Sequence, residues 1–468
     1  MLFPTIDFGL FFLVVFFASW SLRRFSSSRK QLLLVASYFF YGYWDWKFCS
    51  LLLFNAIVSY IGGVLIDGSD RQRKKKQILT LVVAIDLALL GYFKYAGFFV
   101  DSLRALLERL GLERELPLME VILPVGISFF TFQSISYVVD VYRKEIPASR
   151  SFVDLALYIS FFPQLVAGPI VRAAHFMPQL DKRPVLTRRF MAKGLFLILI
   201  GLFKKMVLAN YLATLYVDEI FMAPEFASSL ELVVAVYAYA GQIYCDFSGY
   251  SDIAIGLAAL MGYHFKRNFN QPYRAASLQE FWQRWHISLS QWLRDYLYIP
   301  LGGSRNGTKM TYRNLFLTMF LGGIWHGAAM TFVLWGGIHG LALILERMSG
   351  FARWTKDGLG RFVGIMVTFH IVCLAWIFFR ASSLTLALDY LRAIGEATTT
   401  ITTLTPFVAA LVIICAIGQF MPRASYERIS HFMSRSGHLG MALIFSFGLV
   451  LIQWISPSGT APFIYFQF

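Results

Sequence analysis

Cysteine is scarce. The four in 468 residues, Cys49, Cys245, Cys373 and Cys415, lie far apart, and none stands at CxxC spacing. A disulfide framework and a thiolate zinc site are thereby excluded. The expected role is that of small buried hydrophobes, with Cys245 set apart only by its neighbours in YCDFSGYSD, residues 244–252. Charge is scarce as well: Asp, Glu, Lys and Arg make up 15% of the chain, too little to clothe a separable soluble domain. No Walker A loop, dinucleotide fingerprint, HExxH or GxSxG occurs, which removes ATP-driven pumps, Rossmann enzymes, zincins and elbow-type hydrolases. No internal repeat is visible, which weighs against a transporter built from inverted halves.

What is present in quantity is apolar surface. Hydrophobic residues are 57% of the chain and recur in runs along its whole length, so an all-α polytopic membrane protein is expected, with about eleven crossings in one membrane domain, 1–468. A net charge of +15 could suit nucleic acid, but the basic residues cluster in short loops, where topology and anionic headgroups account for them. Runs at 8–20, 31–43, 48–66 and 78–100 alternate with Arg23, Arg24, Arg29 and Lys30 and with Arg71 to Lys76. The N-terminus is therefore expected outside, on an uncleaved first helix, since Asp7 and no basic residue precedes the first run. Asp86 and Lys94 in the fourth run are expected to face protein or to snorkel. Residues 101–115 read as a surface helix and 121–141 as a fifth crossing. Residues 152–171 carry Pro163, Gly168 and Pro169 with basic residues on both flanks, the pattern of a re-entrant element. Later runs place the C-terminus outside, with the tail PFIYFQF at the outer interface. In so apolar a setting Asp246 and Asp252 must be paired, hydrogen-bonded or protonated; hydrogen bonding to nearby loops is the expected role.

The centre of the chain is the stretch 314–345, thirty-two residues without an acid, Lys or Arg, closed by Arg313 and by Glu346-Arg347. One crossing needs ~20 apolar residues and two need roughly twice that, so a broken helix or two shortened ones are expected. His326 lies near its midpoint beside Gly322, Gly323 and Gly327. The glycines fit either a break or close helix packing, Gly323 to Gly327 and Gly336 to Gly340 having small-xxx-small spacing. A polar ring in such surroundings points to function, although hydrogen bonding to a neighbouring helix is an ordinary alternative. His339 would fall on another face of a continuous helix and reads as a packing or tunnel-wall residue.

Residues 279–299, QEFWQRWHISLSQWLRDYLYI, gather Phe281, Trp282, Trp285, Leu289, Trp292, Leu293, Tyr296 and Leu297 into an arc of about 160° on a helical wheel. One amphipathic helix is expected, ending at Pro300 and lying at the cytoplasmic interface or lining a funnel. His286, at the edge of that arc, points inward. An uncharged imidazole, ordinarily titrating near neutrality, suits general-base work on a hydroxyl.

The blocks FWQRWHISLSQWLRDYLYIPLGGSRNG (281–307), YRNLFLTMFLGGIWHGA (312–328), YCDFSGYSDIAIGL (244–257), PVGISFFTFQSISYVVDVYR (124–143) and FFPQLVAGPI (161–170), with the FIYFQF end, resemble the membrane-bound O-acyltransferase family, and more closely its bacterial branch that O-acetylates secreted polysaccharides. The resemblance implies a helical bundle around a central tunnel, with N-terminal helices in 1–150, a core in 151–348 and C-terminal helices in 349–468. It makes His326 the catalytic base and His286 a second, supporting position. Trp325, Asp246, Trp285, Arg294 and Arg305 become substrate or tunnel residues, and Arg284 and Lys309 further candidates for phosphate contacts. Acetyl-CoA is implied as donor, with no bound cofactor or metal. A hydroxyl of an alginate- or cellulose-like polysaccharide is implied as acceptor, reached directly or through a periplasmic relay protein beside the secretion machinery, in the bacterial inner membrane. D-alanyl or peptidoglycan acyl transfer, and a non-catalytic channel, are the alternatives.

Overall fold

Lipid offers the backbone no hydrogen-bond partners, so apolar runs satisfy their own amides as helices. In the computed structural model, which describes residues 1–112, 122–166, 168–396, 402–457 and 459, every regular element is helical. Among the described residues five segments are long and apolar enough to cross a membrane: Ser26–Asp67, Gln72–Arg109, Arg188–Met222, Gly358–Arg380 and Gly437–Ile455. The bent pair Pro406–Gly418 and Arg423–Arg435 makes a sixth if taken as one span. Other apolar runs form shorter or interrupted helices. Residues 152–166 fold as Phe152–Ser160 and Phe162–Leu165, largely buried, and 168–171 are non-helical. The surface helix expected at 101–115 is instead, as far as Arg109, the end of one continuous helix, Gln72–Arg109, which contains no Pro and runs on through Gly91 and Gly97. Residues 113–115 and the tail 462–468 lie outside the described residues.

The chain divides into two units, 1–185 with 261–265, and 186–260 with 266–468. In the first, Asp86 faces protein, accepting from Asn55 Nδ2 and Ser134 Oγ, both at 2.8 Å. Arg29, counted above as a loop charge, is buried and donates to Ser19 Oγ, Tyr263 Oη and the Met261 carbonyl. It is a structural residue rather than a topology signal.

In the second unit, helix Arg188–Leu202 lies against Ser229–Leu260 at backbone contact. A Cβ on Gly249 would meet the Gly201 carbonyl at 2.7 Å, and one on Gly256 the Gly194 carbonyl at 2.6 Å. The helix continues as a π-helical segment, Phe203–Ala209, which sets Lys204 and Lys205 beside Asp252 and Asp246. The central stretch is a helical hairpin, Gly307–His326 and Met330–Ser349, reversing over residues 327–329. This resolves the awkward length as two helices of 20 residues each, the polar first turns of one and the last turn of the other lying outside the apolar stretch. Gly323 and Gly336 are where the two legs touch: a Cβ on Gly323 would stand 2.4 Å from the Phe332 carbonyl and 3.0 Å from Gly336 Cα.

Candidate functional site

His326 is the last residue of the hairpin's first leg, at its closed tip. The chain turns directly after it because Gly327 leaves the helix in extended conformation, and a Cβ there would strike the Phe332 ring at 2.1 Å. His326 is thereby buried, 3% exposed, among aromatic rings. Trp325, Trp335 and Phe379 meet it at 4.9, 4.8 and 5.2 Å, each close to edge-on. Trp376 stacks on Trp335 at 6.1 Å and meets Phe379 at 5.2 Å. Trp285, predicted at the site, forms the next layer, 5.1 Å from Trp376. The result is a box of indole and phenyl rings in which the imidazole is one of few polar groups. Low dielectric surroundings of this kind strengthen any charge or proton transfer made inside them.

His339 stands at the other side of Trp335, 4.8 Å from it, and also packs against Trp282 at 5.1 Å. Because the helix reverses, the two histidines that a continuous helix would hold on different faces flank one indole.

The segment expected as a single amphipathic helix is broken at His286. It consists of Leu278–Arg284, a kink at Trp285-His286, Ile287–Leu293 and the π-helical turn Arg294–Tyr298. Six of the eight residues expected on its apolar face, Phe281, Trp282, Trp285, Leu289, Trp292 and Leu293, are buried, while Tyr296 and Leu297 are half-buried. The break has a local cause: Asn268 competes for the helix's own donors, its carbonyl accepting from Ile287 N and its Oδ1 from Ser288 N and Oγ. His286 takes a left-handed conformation, φ 38°, and its Nδ1 caps the second half by accepting from Leu289 N at 3.4 Å. It packs edge-on against Phe247 at 4.6 Å. Burial pushes its imidazole down to about 3, so the ring is neutral at physiological pH. The first half is anchored by Glu346 of the hairpin's return leg, whose carboxylate accepts from Leu278 N at 2.5 Å and Gln279 N at 3.1 Å.

Between these short helices and the open end of the hairpin lies a cavity of about 780 Å³. Trp282, Gln283, Thr318 and Met319 form part of its wall, and Arg294, Arg347 and Arg353 bring positive charge to it. Of the basic candidates, Arg294 fits this position, although it also pairs with Asp295 at 2.6 Å. Arg305 and Lys309 are exposed and do not line the cavity. Arg284 is engaged with Glu280 at 2.7 Å and with the Asn270 carbonyl at 3.0 Å. Arg347 and Arg353 escaped the sequence reading, which took them for loop charges.

Asp246 and Asp252 each pair with a lysine. Asp246 pairs with Lys205 at 2.5 Å, both side chains buried, and Asp252 with Lys204 at 2.7 Å. The two lysines were overlooked because they interrupt an otherwise apolar run; two cations facing two acids across that run were the available signal. Cys245 lies 3.8 Å from Cys415, sulfur to sulfur, deep in the interior. Among the described residues no cluster of three His, Cys, Asp or Glu side chains is placed to hold a metal ion.

Residues 34–388 match the family model described as MBOAT, membrane-bound O-acyltransferase family. The chain is 44% identical over 388 residues to the probable alginate O-acetylase AlgI of Pseudomonas putida, covering 83% of this chain and 79% of that protein. It is 38% identical to the peptidoglycan O-acetyltransferase of Helicobacter pylori, over 78% of this chain and 73% of that one. The teichoic acid D-alanyltransferase of Bacillus subtilis is 27% identical over 54% of this chain and 68% of its own. The matched span takes in both histidine blocks, the cavity lining and the aromatic box. With its helices, its apolar runs and these relatives, the chain belongs to the membrane-bound O-acyltransferase family and is an acyltransferase.

Proposed function

We propose that this acyltransferase carries acetyl from cytosolic acetyl-CoA through the bacterial inner membrane to a hydroxyl of a secreted polysaccharide of alginate or cellulose type. The observation that carries the reading is the cavity with Arg294, Arg347 and Arg353, joined to His326 through the packed rings of Trp282, His339 and Trp335. The guanidinium groups suit the phosphates of a CoA donor. The cavity suits its thioester arm. Neutral His326 takes the proton of the acceptor hydroxyl as its oxygen attacks the thioester carbon. The C–S bond then breaks, and the thiolate leaves with that proton from the imidazolium. Aromatic walls keep water from competing for the thioester. His286 serves as a supporting residue, shaping the broken helix that walls the cavity; Trp325 and Trp285 are walls of the box, and Asp246 with Lys205 is a buried tie behind it.

The acceptor is either the polymer itself or the serine of a periplasmic relay protein that passes acetyl on beside the secretion machinery. Both termini face the periplasm in this reading, and about eleven crossings surround the tunnel. Peptidoglycan is the second acceptor class, favoured by the Helicobacter pylori relative. The test is reconstitution of the purified protein with labelled acetyl-CoA and each polymer, with and without a periplasmic partner. Label in a polysaccharide, dependent on the protein, supports the proposal; label in none, with the protein folded, contradicts it.

A further inference from the structure

Behind the cavity wall sits a group of nitrogens that the chemistry above leaves unused. His339 is fully buried, and neither of its ring nitrogens has a hydrogen-bond partner among the described residues. The same holds for Nε1 of Trp282 and Nε1 of Trp335. The three rings pack around one another edge-on, His339 to Trp282 at 5.1 Å, His339 to Trp335 at 4.8 Å, and Trp282 to Trp335 at 5.7 Å. Phe281 lies parallel to the imidazole at 6.2 Å. A buried polar atom left unsatisfied is costly, so four such nitrogens in one place mark a site that something fills.

Its chemistry is specific. Indole donates and cannot accept, while a neutral imidazole has one donor and one acceptor. Three donors and one acceptor fit a carbonyl oxygen flanked by an amide N–H. Trp282 is at once wall of the cavity and wall of this group, and Trp335 touches both His339 and His326.

We propose that His339, with the indole N–H groups of Trp282 and Trp335, binds the amide end of a pantetheine-type donor arm, between the cavity and His326. The inference rests on the thioester donor of the proposed function. The arm enters from the cavity as Trp282 turns aside, its amide carbonyl takes the indole N–H groups, and its amide N–H meets the unprotonated nitrogen of His339. The thioester that follows the amide is then delivered past Trp335 to His326.

The experiment compares full-length wild type with His339→Phe, which keeps a ring and removes both nitrogens. His339→Gln, which restores a donor and an acceptor, and Trp282→Phe, which removes one N–H, complete the set. KM and kcat for acetyl-CoA, KM for the acceptor, and binding of free CoA by calorimetry are the readouts, with thermal unfolding as the check on fold. His339→Phe is expected to raise the KM for acetyl-CoA and weaken CoA binding about tenfold, the equivalent of roughly 1.4 kcal/mol for one buried hydrogen bond. The acceptor KM stays unchanged, and His339→Gln recovers most of the loss. Trp282→Phe, if His339→Phe fails to fold, is read by the same measures. Donor KM and CoA binding equal to wild type in a folded variant overturn the proposal. If wild type uses a carrier-protein thioester in place of acetyl-CoA, the choice of donor fails, and the same comparison on that thioester still decides the role of His339.

Discussion

His326 and Trp335 are nine residues apart in the chain, yet their rings meet edge-on at 4.8 Å across a chain reversal. The contact exists only because the hairpin legs approach to backbone distance, and this makes the glycines at the crossing a first test. Gly323→Val would drive a Cβ against the Phe332 carbonyl, and overpacking of this kind costs about 1–3 kcal/mol or more. A lowered melting temperature in detergent and loss of activity are expected. Gly337→Ala, with nothing within 4 Å of the added carbon, serves as the control and leaves both unchanged or slightly improves the fold. Equal behaviour of the two variants would show that the legs do not touch as described.

The Lys205–Asp246 pair is buried on both sides. Removing one partner strands the other, at a cost of about 3–5 kcal/mol, whereas replacing both by apolar residues is close to neutral. Lys205→Met should therefore unfold at markedly lower temperature, and the double variant Lys205→Met with Asp246→Leu should regain most of that loss. Additive losses in the double variant would mean that the two groups do not pair.

Glu346 ties the hairpin to the N-terminus of helix Leu278–Arg284 through two amide donors. A carboxylate at a helix N-terminus combines charge-assisted bonding with the helix dipole. Glu346→Ala is expected to lower stability by about 1–3 kcal/mol and to raise the KM of the donor, since Glu346 also lines the cavity. Glu346→Gln keeps an acceptor and should lose less. Unchanged melting and KM in the alanine variant would remove Glu346 from this role.

Acid should act through His286. Its folded value is pushed down to about 3 from an ordinary 6.5, so below pH 6.5 the unfolded chain takes up a proton that the folded chain refuses. Stability is unaffected above that pH and declines as pH falls toward 3, by about 2 kcal/mol at pH 5 from this group. His286→Asn, which tolerates the left-handed conformation and can still cap a helix, should flatten the melting temperature against pH in this range. A curve parallel to wild type would contradict the assignment.

The sequence carried the helical class, the family and the two histidine blocks, because apolar runs, glycine spacing and the WHISLS and WHGA blocks are local. It carried the buried face of residues 279–299 for the same reason, since which side of a helix is apolar depends on neighbours three and four positions away. The break at His286 was not legible: the bonds that make it come from Asn268, outside the segment. Nor was the aromatic box, because Trp335 and Phe379 reach His326, with Trp376 packed against both, only through the reversal at Gly327 and the packing of Gly358–Arg380. Arg29 looked like a topology charge because burial and Tyr263 are features of the fold, not of the local sequence.

His326 is the proposed base that activates the acceptor hydroxyl. The most direct measurement is transfer of labelled acetyl from acetyl-CoA to acceptor by reconstituted His326→Ala and His326→Gln, alongside their melting temperatures. Folded proteins whose transfer falls about 10²–10⁴-fold, the usual contribution of a positioned general base, are expected. Transfer within about threefold of wild type by either folded variant, against that contribution, would contradict it.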